Sequence, residues 1–165
     1  MKKSFFALLS IAALMIVSAH AKTMSVPDEE NPVATINMPD SWEPGEIENG
    51  MAGSSKDGAV YLAAVAVSSK KGMDAEIDDT FAMLKEHKVE LDQASKKENK
   101  FKVNGLDAEE LLFQGKDEDG PAAVSITFVT IKDKIIVLTY WVSTNEEEKH
   151  QAEVGKIINS LKPAA

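Results

Sequence analysis

The sequence contains no cysteine and no arginine among its 165 residues. Without cysteine, the chain cannot form disulfide bonds, carry a lipid on a cysteine, use a catalytic thiol or bind a metal through thiolates. It has only three histidines, so general-base catalysis has few candidate side chains. These absences favour a protein that is not an enzyme and that relies on its hydrophobic core for stability.

Because arginine is absent, all strongly basic side chains are lysines. The sequence has 18 lysines and 27 acidic residues. An acidic surface repels phosphate groups, and lysine lacks the planar guanidinium that recognises bases and carboxylates. The composition therefore argues against nucleic acid and anionic membranes as partners. It favours a basic or neutral protein partner.

The apolar run near the start of the chain is too short to span a membrane. Phe5–Val17 covers 13 residues, whereas a spanning helix needs roughly 18 or more. Two lysines precede the run, and Ala19 and Ala21 are small residues at the positions that a signal peptidase reads. We therefore predict a signal peptide at residues 1–21, cleaved before Lys22, in preference to a membrane anchor. The mature protein is then expected to be periplasmic or secreted.

The remaining 144 residues carry a net charge of −11 and are enough for one domain that buries its own core. Residues 22–32 contain turn formers and acids without an apolar period, so they predict a flexible N-terminal tether. The domain is expected to cover residues 33–163. Its first strand, Val33–Met38, should end at Pro39.

The middle of the chain predicts a hairpin and then a helix. Ile47–Ala52 and Ala59–Ser68 flank a turn with glycine at both ends, and the second arm is apolar on both faces. After Gly72 the apolar spacing becomes helical. The predicted helical stripe is Ile77, Phe81, Leu84 and Leu91. Lys88 interrupts this stripe, so the helix either continues past Lys88 or ends near Glu86.

The second half of the chain predicts an antiparallel meander of about four strands and a closing helix. Asn104-Gly105 is a strong hairpin signal. Ile135–Val142 is apolar on both faces, as in a central strand, and the last helix should start after Thr144 and stop before Pro163. Strands that are apolar on both faces need cover on both sides. We therefore predict an α+β fold, namely a three-layer α/β/α sandwich whose antiparallel sheet of about six to seven strands carries a helix on each face.

These elements resemble the Mog/PsbP-like superfamily. The resemblance rests on Pro39 and Trp42 after the first strand, on Val103-Asn104-Gly105-Leu106 at the start of the meander, and on residues 157–163 at the end of the last helix. It covers most of residues 33–163. It implies an α/β/α sandwich that serves as a docking module, since relatives include a Ran-binding import factor, an extrinsic photosystem II subunit and bacterial accessory proteins.

Trp42 is the candidate partner-binding residue. It is a large aromatic side chain in a turn-rich loop between two predicted strands. Such a residue either closes one end of the core or contacts a partner. The sequence leaves both interpretations open.

Four patterns in the sequence resemble parts of chemical sites. Ser68 and Lys71 have the S-x-x-K spacing of a serine nucleophile, but the companion motifs are missing and the spacing is expected by chance. Residues 117–120 resemble only the middle of a calcium loop and favour an acidic turn. Met73 and Met83 favour helix packing over a copper site. The sequence thus predicts no catalytic residue and no cofactor.

Glu146 and His150 form the fourth pattern. Side chains at i and i+4 share one helix face, and both types bind zinc, so the pair could be half of a metal site. The sequence does not indicate a third ligand. The alternative is a solvated pair at the helix start.

Together these observations favour an exported, non-catalytic accessory protein that docks on another protein of the cell envelope. The alternative is a periplasmic carrier of a small ligand or a metal. A carrier should contain an apolar pocket with converging polar groups, whereas a docking module should expose an apolar patch.

Overall fold

The computed structural model describes residues 20–68 and 70–165. The predicted signal peptide therefore lies outside the described residues except for its last two positions. No helix in the described ranges is both long and apolar enough to cross a membrane. The strands are β1 Ala21–Val26, β2 Ala34–Pro39, β3 Gly45–Ile47, β4 Gly50–Ser54, β5 Val60–Val67, β6 Glu90–Val103, β7 Leu106–Asp117, β8 Gly120–Ile131, β9 Lys134–Ser143 and β10 Lys162–Pro163. The helices are α1 Lys70–Glu86 and α2 Glu147–Asn159, and single 3-10 turns cover Asp40–Trp42 and Thr144–Glu146.

The fold is α+β, with a seven-stranded antiparallel sheet in the order β3-β4-β5-β9-β8-β7-β6. The predicted meander is confirmed as β6 to β9, each strand pairing with the next. At its first turn Asn104 and Gly105 both have positive φ, 47° and 85°. That conformation is the reason why Asn-Gly is favoured in two-residue hairpins. The double-sided apolar strands β5 and β9 are neighbours in the middle of the sheet.

A second, three-stranded sheet has the order β1-β2-β10. It corrects the prediction that residues 22–32 form a mobile tether, because Ala21–Val26 is a strand along the whole length of β2. Met24 and Val26 point into the core and are 5% and 0% exposed. Met24 and Val26 are the only large apolar residues of this strand, and turn formers and acids follow directly, so the alternation was not recognised.

The core has two clusters that share the large sheet. Alternate residues of β9, such as Leu138, pack in one cluster with Val154 and Ile157 of α2 and with the small sheet. The intervening residues, such as Val137, pack in the other cluster with Leu84 of α1. Because side chains alternate along a strand, β9 buries both of its faces.

The backbone conformation of Lys88 ends helix α1. The helix stops at Glu86, and Lys88 adopts a left-handed conformation with φ 59° that reverses the chain. The amide of Val89 then bonds the carbonyl of Leu84, which closes the helix end. Leu91 consequently belongs to β6 and not to the helical stripe.

Candidate functional site

A polar cluster forms at one end of the large sheet, where the β4–β5 turn meets the start of α2. Asp57 comes from the turn, Glu146 from the residue before α2, and His150 from the first turn of α2. One nitrogen or oxygen atom from each side chain lies within 4.8 Å of the other two. The structure therefore brings the predicted Glu146–His150 pair together with a third metal-ligating side chain that the sequence did not indicate.

The β4–β5 turn holds Asp57 in one orientation. The Ser55 hydroxyl donates to Asp57 Oδ1 at 2.7 Å, and the amide of Ala59 donates to the same oxygen at 3.3 Å. Ser55 is itself buried, and Gly58 supplies the positive φ that the turn needs. With Oδ1 occupied by the turn, Asp57 Oδ2 faces the start of α2.

Two side chains of α2 contact Asp57 Oδ2. His150 Nε2 lies 3.0 Å from it, and Lys149 Nζ donates to it while also lying 3.2 Å from Glu146 Oε2. The Lys149 ammonium, with help from the Ser55 hydroxyl, holds the pKa of the Asp57 carboxyl well below its usual range. Asp57 thus stays a carboxylate at any ordinary pH.

His150 is buried, with 9% of its side chain exposed. Its other ring nitrogen, Nδ1, lies 4.0 Å from Glu153 Oε2, one turn further along α2. The same Glu153 oxygen accepts a hydrogen bond of 3.1 Å from the indole nitrogen of Trp42. The imidazole therefore has a carboxylate on each side, and the second carboxylate is anchored by the tryptophan.

Trp42 is 2% exposed and belongs to the core cluster that contains α2. This is the arrangement expected for a residue that closes one end of the core. The hypothesis that Trp42 contacts a partner stays a prediction, since the indole would first have to leave the core.

The other sequence candidates serve local structure. Ser68 Oγ accepts a hydrogen bond of 3.0 Å from Lys134 Nζ, a lysine outside the S-x-x-K pattern. Asp117 Oδ2 accepts bonds from the Trp141 indole and the Ser143 hydroxyl, so this carboxylate ties a hairpin turn to β9. Met73 and Met83 pack against the core cluster beneath α1, as predicted.

Phe101 is 40% exposed on the edge strand β6. It pairs with Ala108 of the cluster that contains α2, so its ring lies on the opposite face of the sheet from Phe128, which belongs to the cluster that contains α1. Both residues line an open groove along β6 and β7, the Phe101 groove, whose volume is about 480 Å³. The other residues of this groove are Met73, Ala108, Ile135, Lys100, Asp107, Glu109 and Thr130. Two exposed ion pairs from β6 to β7, Lys100–Glu109 and Lys102–Asp107, lie beside it, each 2.6 Å long.

Ile47 is the other exposed large hydrophobic residue of the described chain, at 42%. It ends β3, the strand at the opposite edge of the large sheet from β6. The two exposed apolar side chains therefore lie on opposite edges of the molecule. They do not form one continuous patch.

Comparison with known proteins supports the fold. No protein-family model matches the sequence, and no curated protein matches it. Among solved structures, cyanobacterial PsbP (CyanoP) from Synechocystis is similar with a TM-score of 0.58 at 9% identity, covering 91% of this chain and 96% of that one. A structure from Bacteroides thetaiotaomicron matches with a TM-score of 0.54 at 13% identity, over 80% of this chain and 45% of that one, so this chain spans less than half of that protein. The Ran-binding protein Mog1p of Saccharomyces cerevisiae has a TM-score of 0.48 at 10% identity, with coverage of 88% and 96%. At such low identities the likeness is one of fold, and this chain has a Mog/PsbP-like fold.

Proposed function

We propose that this chain is an exported, non-catalytic accessory protein that docks on another protein of the cell envelope through the Phe101 groove. The observation that carries the proposal is the 40% exposure of Phe101 on the edge strand of the large sheet. A large aromatic side chain left in water loses the free energy that its burial would supply. A partner that covers Phe101 would recover it.

The groove suits one apolar anchor of a partner with polar contacts around it. Protein interfaces concentrate their binding energy in a few aromatic or aliphatic side chains that fill pockets, within a polar rim. Phe101 would be the apolar contact for this anchor, and the lysines and acids of β6 and β7 would form the rim. These ion pairs are exposed and therefore weak, so their charges can pair with a partner instead.

The negative net charge of the protein favours neutral or basic partners over acidic ones. The predicted mature chain has a net charge of −11, which repels acidic proteins and speeds encounter with basic ones. We therefore propose a neutral or basic envelope protein as the occupant of the groove.

The test compares two alanine variants at apolar side chains of similar fractional exposure. Phe101→Ala should weaken binding to the purified partner at least about tenfold, since truncating an anchor costs about 2 kcal/mol or more and about 1.4 kcal/mol is already tenfold. Ile47→Ala, the matched control at the opposite sheet edge, should bind as the unaltered protein does. Affinity capture from envelope extract would supply the partner, and calorimetry would measure both variants.

Equal binding by the Phe101→Ala and unaltered proteins would contradict the proposal, as would a strongly acidic partner. Circular dichroism would first establish that both variants are folded. A carrier of an apolar small ligand is less well supported, because such carriers enclose their ligands. The main depressions that residues 20–68 and 70–165 form are open to solvent.

We also propose that the layers are those of an α/β/α sandwich, with α1 on one face of the large sheet and α2 on the other. The two core clusters support this arrangement, since each contains one helix and a different set of β9 side chains. The small sheet would then lie on the α2 side. The ring of Phe101 would also lie on the α2 side, because its partner on β7, Ala108, belongs to the cluster that contains α2.

A further inference from the structure

We propose that Asp57, Glu146 and His150 bind a single Zn²⁺ ion, with the fourth coordination position left for water or an external ligand. This site lies at the start of α2 and shares no residue with the Phe101 groove. One imidazole and two carboxylates form a ligand set that zinc accepts, and three protein ligands are typical of zinc sites that keep an open position.

The spacing of the ligand atoms fits a zinc ion. Zinc bonds to nitrogen and oxygen of about 2.0 to 2.1 Å place tetrahedral ligands about 3.3 Å apart. The distance between Asp57 Oδ2 and His150 Nε2 is already 3.0 Å. Glu146 is the ligand that has to approach, and its side chain is 42% exposed and free to change rotamer.

The surroundings of the ligands support the same conclusion. A zinc-bound histidine usually directs its second ring nitrogen at a carboxylate or carbonyl oxygen, which fixes the ring. Glu153 Oε2 lies 4.0 Å from Nδ1 of His150 and has to move closer to bond it, while the Trp42 indole donates to that oxygen. Asp57 is fixed through its other oxygen by the Ser55 hydroxyl. The burial of the imidazole and the Ser55 bond therefore restrict two of the three ligands before a metal arrives.

Lys149 occupies the position that the metal would take. Its ammonium contacts Asp57 Oδ2 and Glu146 Oε2, two of the three proposed ligand atoms. The lysine side chain is 59% exposed, so solvent screens its ion pairs and the ammonium can move into water. Zinc must displace this ammonium, and Lys149 should therefore weaken metal binding.

Calorimetric titration of the purified protein with zinc chloride tests the site. We expect binding of one zinc ion per chain, weakened at least about tenfold by His150→Ala, as the loss of a direct ligand should cost at least as much as the loss of a supporting one. His87→Ala is the matched control and should bind zinc normally. Since His150 is buried and its variant could unfold, Asp57→Asn at the exposed turn provides a second ligand variant with the same expected loss.

The lysine gives a test that runs in the opposite direction. Lys149→Ala should bind zinc at least about threefold more tightly, because the competing ammonium is gone. Lys156→Ala removes the same charge from the exposed side of α2 and should change the affinity less. Long-range ¹H–¹⁵N NMR spectra should show zinc shifting the imidazole nitrogens of His150 and leaving those of His87 in place.

Three results would overturn the proposal. One is the absence of saturable binding at zinc concentrations up to about 1 mM. Another is unchanged affinity in folded His150→Ala or Asp57→Asn protein. The third is an equal effect of Lys149→Ala and Lys156→Ala, which would indicate diffuse attraction to an acidic surface. Each result is obtained without the docking partner, so it is independent of the proposed function.

Discussion

Tyr140 and Trp141 provide the sharpest test of the proposed layers. They are neighbours on β9, the strand between β5 and β8, so their rings point to opposite faces of the large sheet. Tyr140 packs against the cluster that contains α2, and Trp141 packs against the cluster that contains α1. Replacing each by alanine probes one face at a time.

The structure sets the expected loss of stability. Both rings are half-buried, and covering roughly 100 Å² of apolar surface contributes about 2.5 kcal/mol at about 25 cal/mol per Å². Adding part of the cavity cost, we expect Tyr140→Ala and Trp141→Ala each to lower the free energy of unfolding by about 2 to 4 kcal/mol. That range overlaps the lower part of the range of about 3 to 5 kcal/mol for fully buried aromatic residues.

Equilibrium urea unfolding of both variants would measure these losses. Trp141→Phe is the control, because it retains a ring on the α1 side and removes the 3.1 Å hydrogen bond to Asp117. It should cost about 0.5 to 1.5 kcal/mol. If either alanine variant lost less than about 0.5 kcal/mol, as an ordinary surface substitution does, that face of β9 would be open to water. The proposal of a helix on each face would then fail.

Three further predictions concern the backbone, pH and export. Gly50→Ala should destabilise the fold by about 1 to 3 kcal/mol or more, because its Cβ would overlap the backbone of Ala64. Gly155→Ala meets no neighbour within 4 Å and should stabilise α2 by about 0.5 to 1 kcal/mol. Thermal unfolding in which both substitutions change the stability in the same direction would contradict this. Burial raises the pKa of Tyr140 to about 12, and burial followed by the charge of Glu76 raises the pKa of Tyr61. The stability linked to the neutral Tyr140 phenol is complete below the unfolded value of about 10 and is lost as the pH rises through about 12, and the stability linked to the Tyr61 phenol is lost as the pH rises through its own raised pKa. Absorbance titration showing both phenols ionising near 10 would refute this. Mature protein from the envelope should start at Lys22 or within about two residues of it, which N-terminal sequencing would check.

Local patterns predicted most of the large sheet. The apolar runs of β5 and β9, the Asn104-Gly105 turn and the helical stripe of α2 each depend on residues within one element. Periodicity, turn chemistry and capping act over a few residues, so they can be read without knowing the neighbours in space. The small sheet was predicted only in part, because β1 has just two large apolar residues and depends on its pairing with β2.

The sequence predicted one part of the polar cluster, the Glu146–His150 pair, and did not predict the other part, Asp57. Glu146 and His150 share one face of a helix, so their proximity followed from a spacing of four residues. Asp57 is 93 positions away from His150, and only the assembled sheet brings the β4–β5 turn to the start of α2. The sequence could not indicate this contact, since a hairpin turn can lie at either end of a sheet.

The sequence by itself determined an acidic, cysteine-free α+β chain with two strands that need cover on both faces. The tertiary structure decided what lies beside those strands and what stays open to water. It placed Trp42 in the core, left Phe101 exposed on an edge strand, and gathered Asp57, Glu146 and His150. The physical reason is that burial and proximity depend on contacts between distant segments, whereas strand and helix patterns depend on neighbours along the chain.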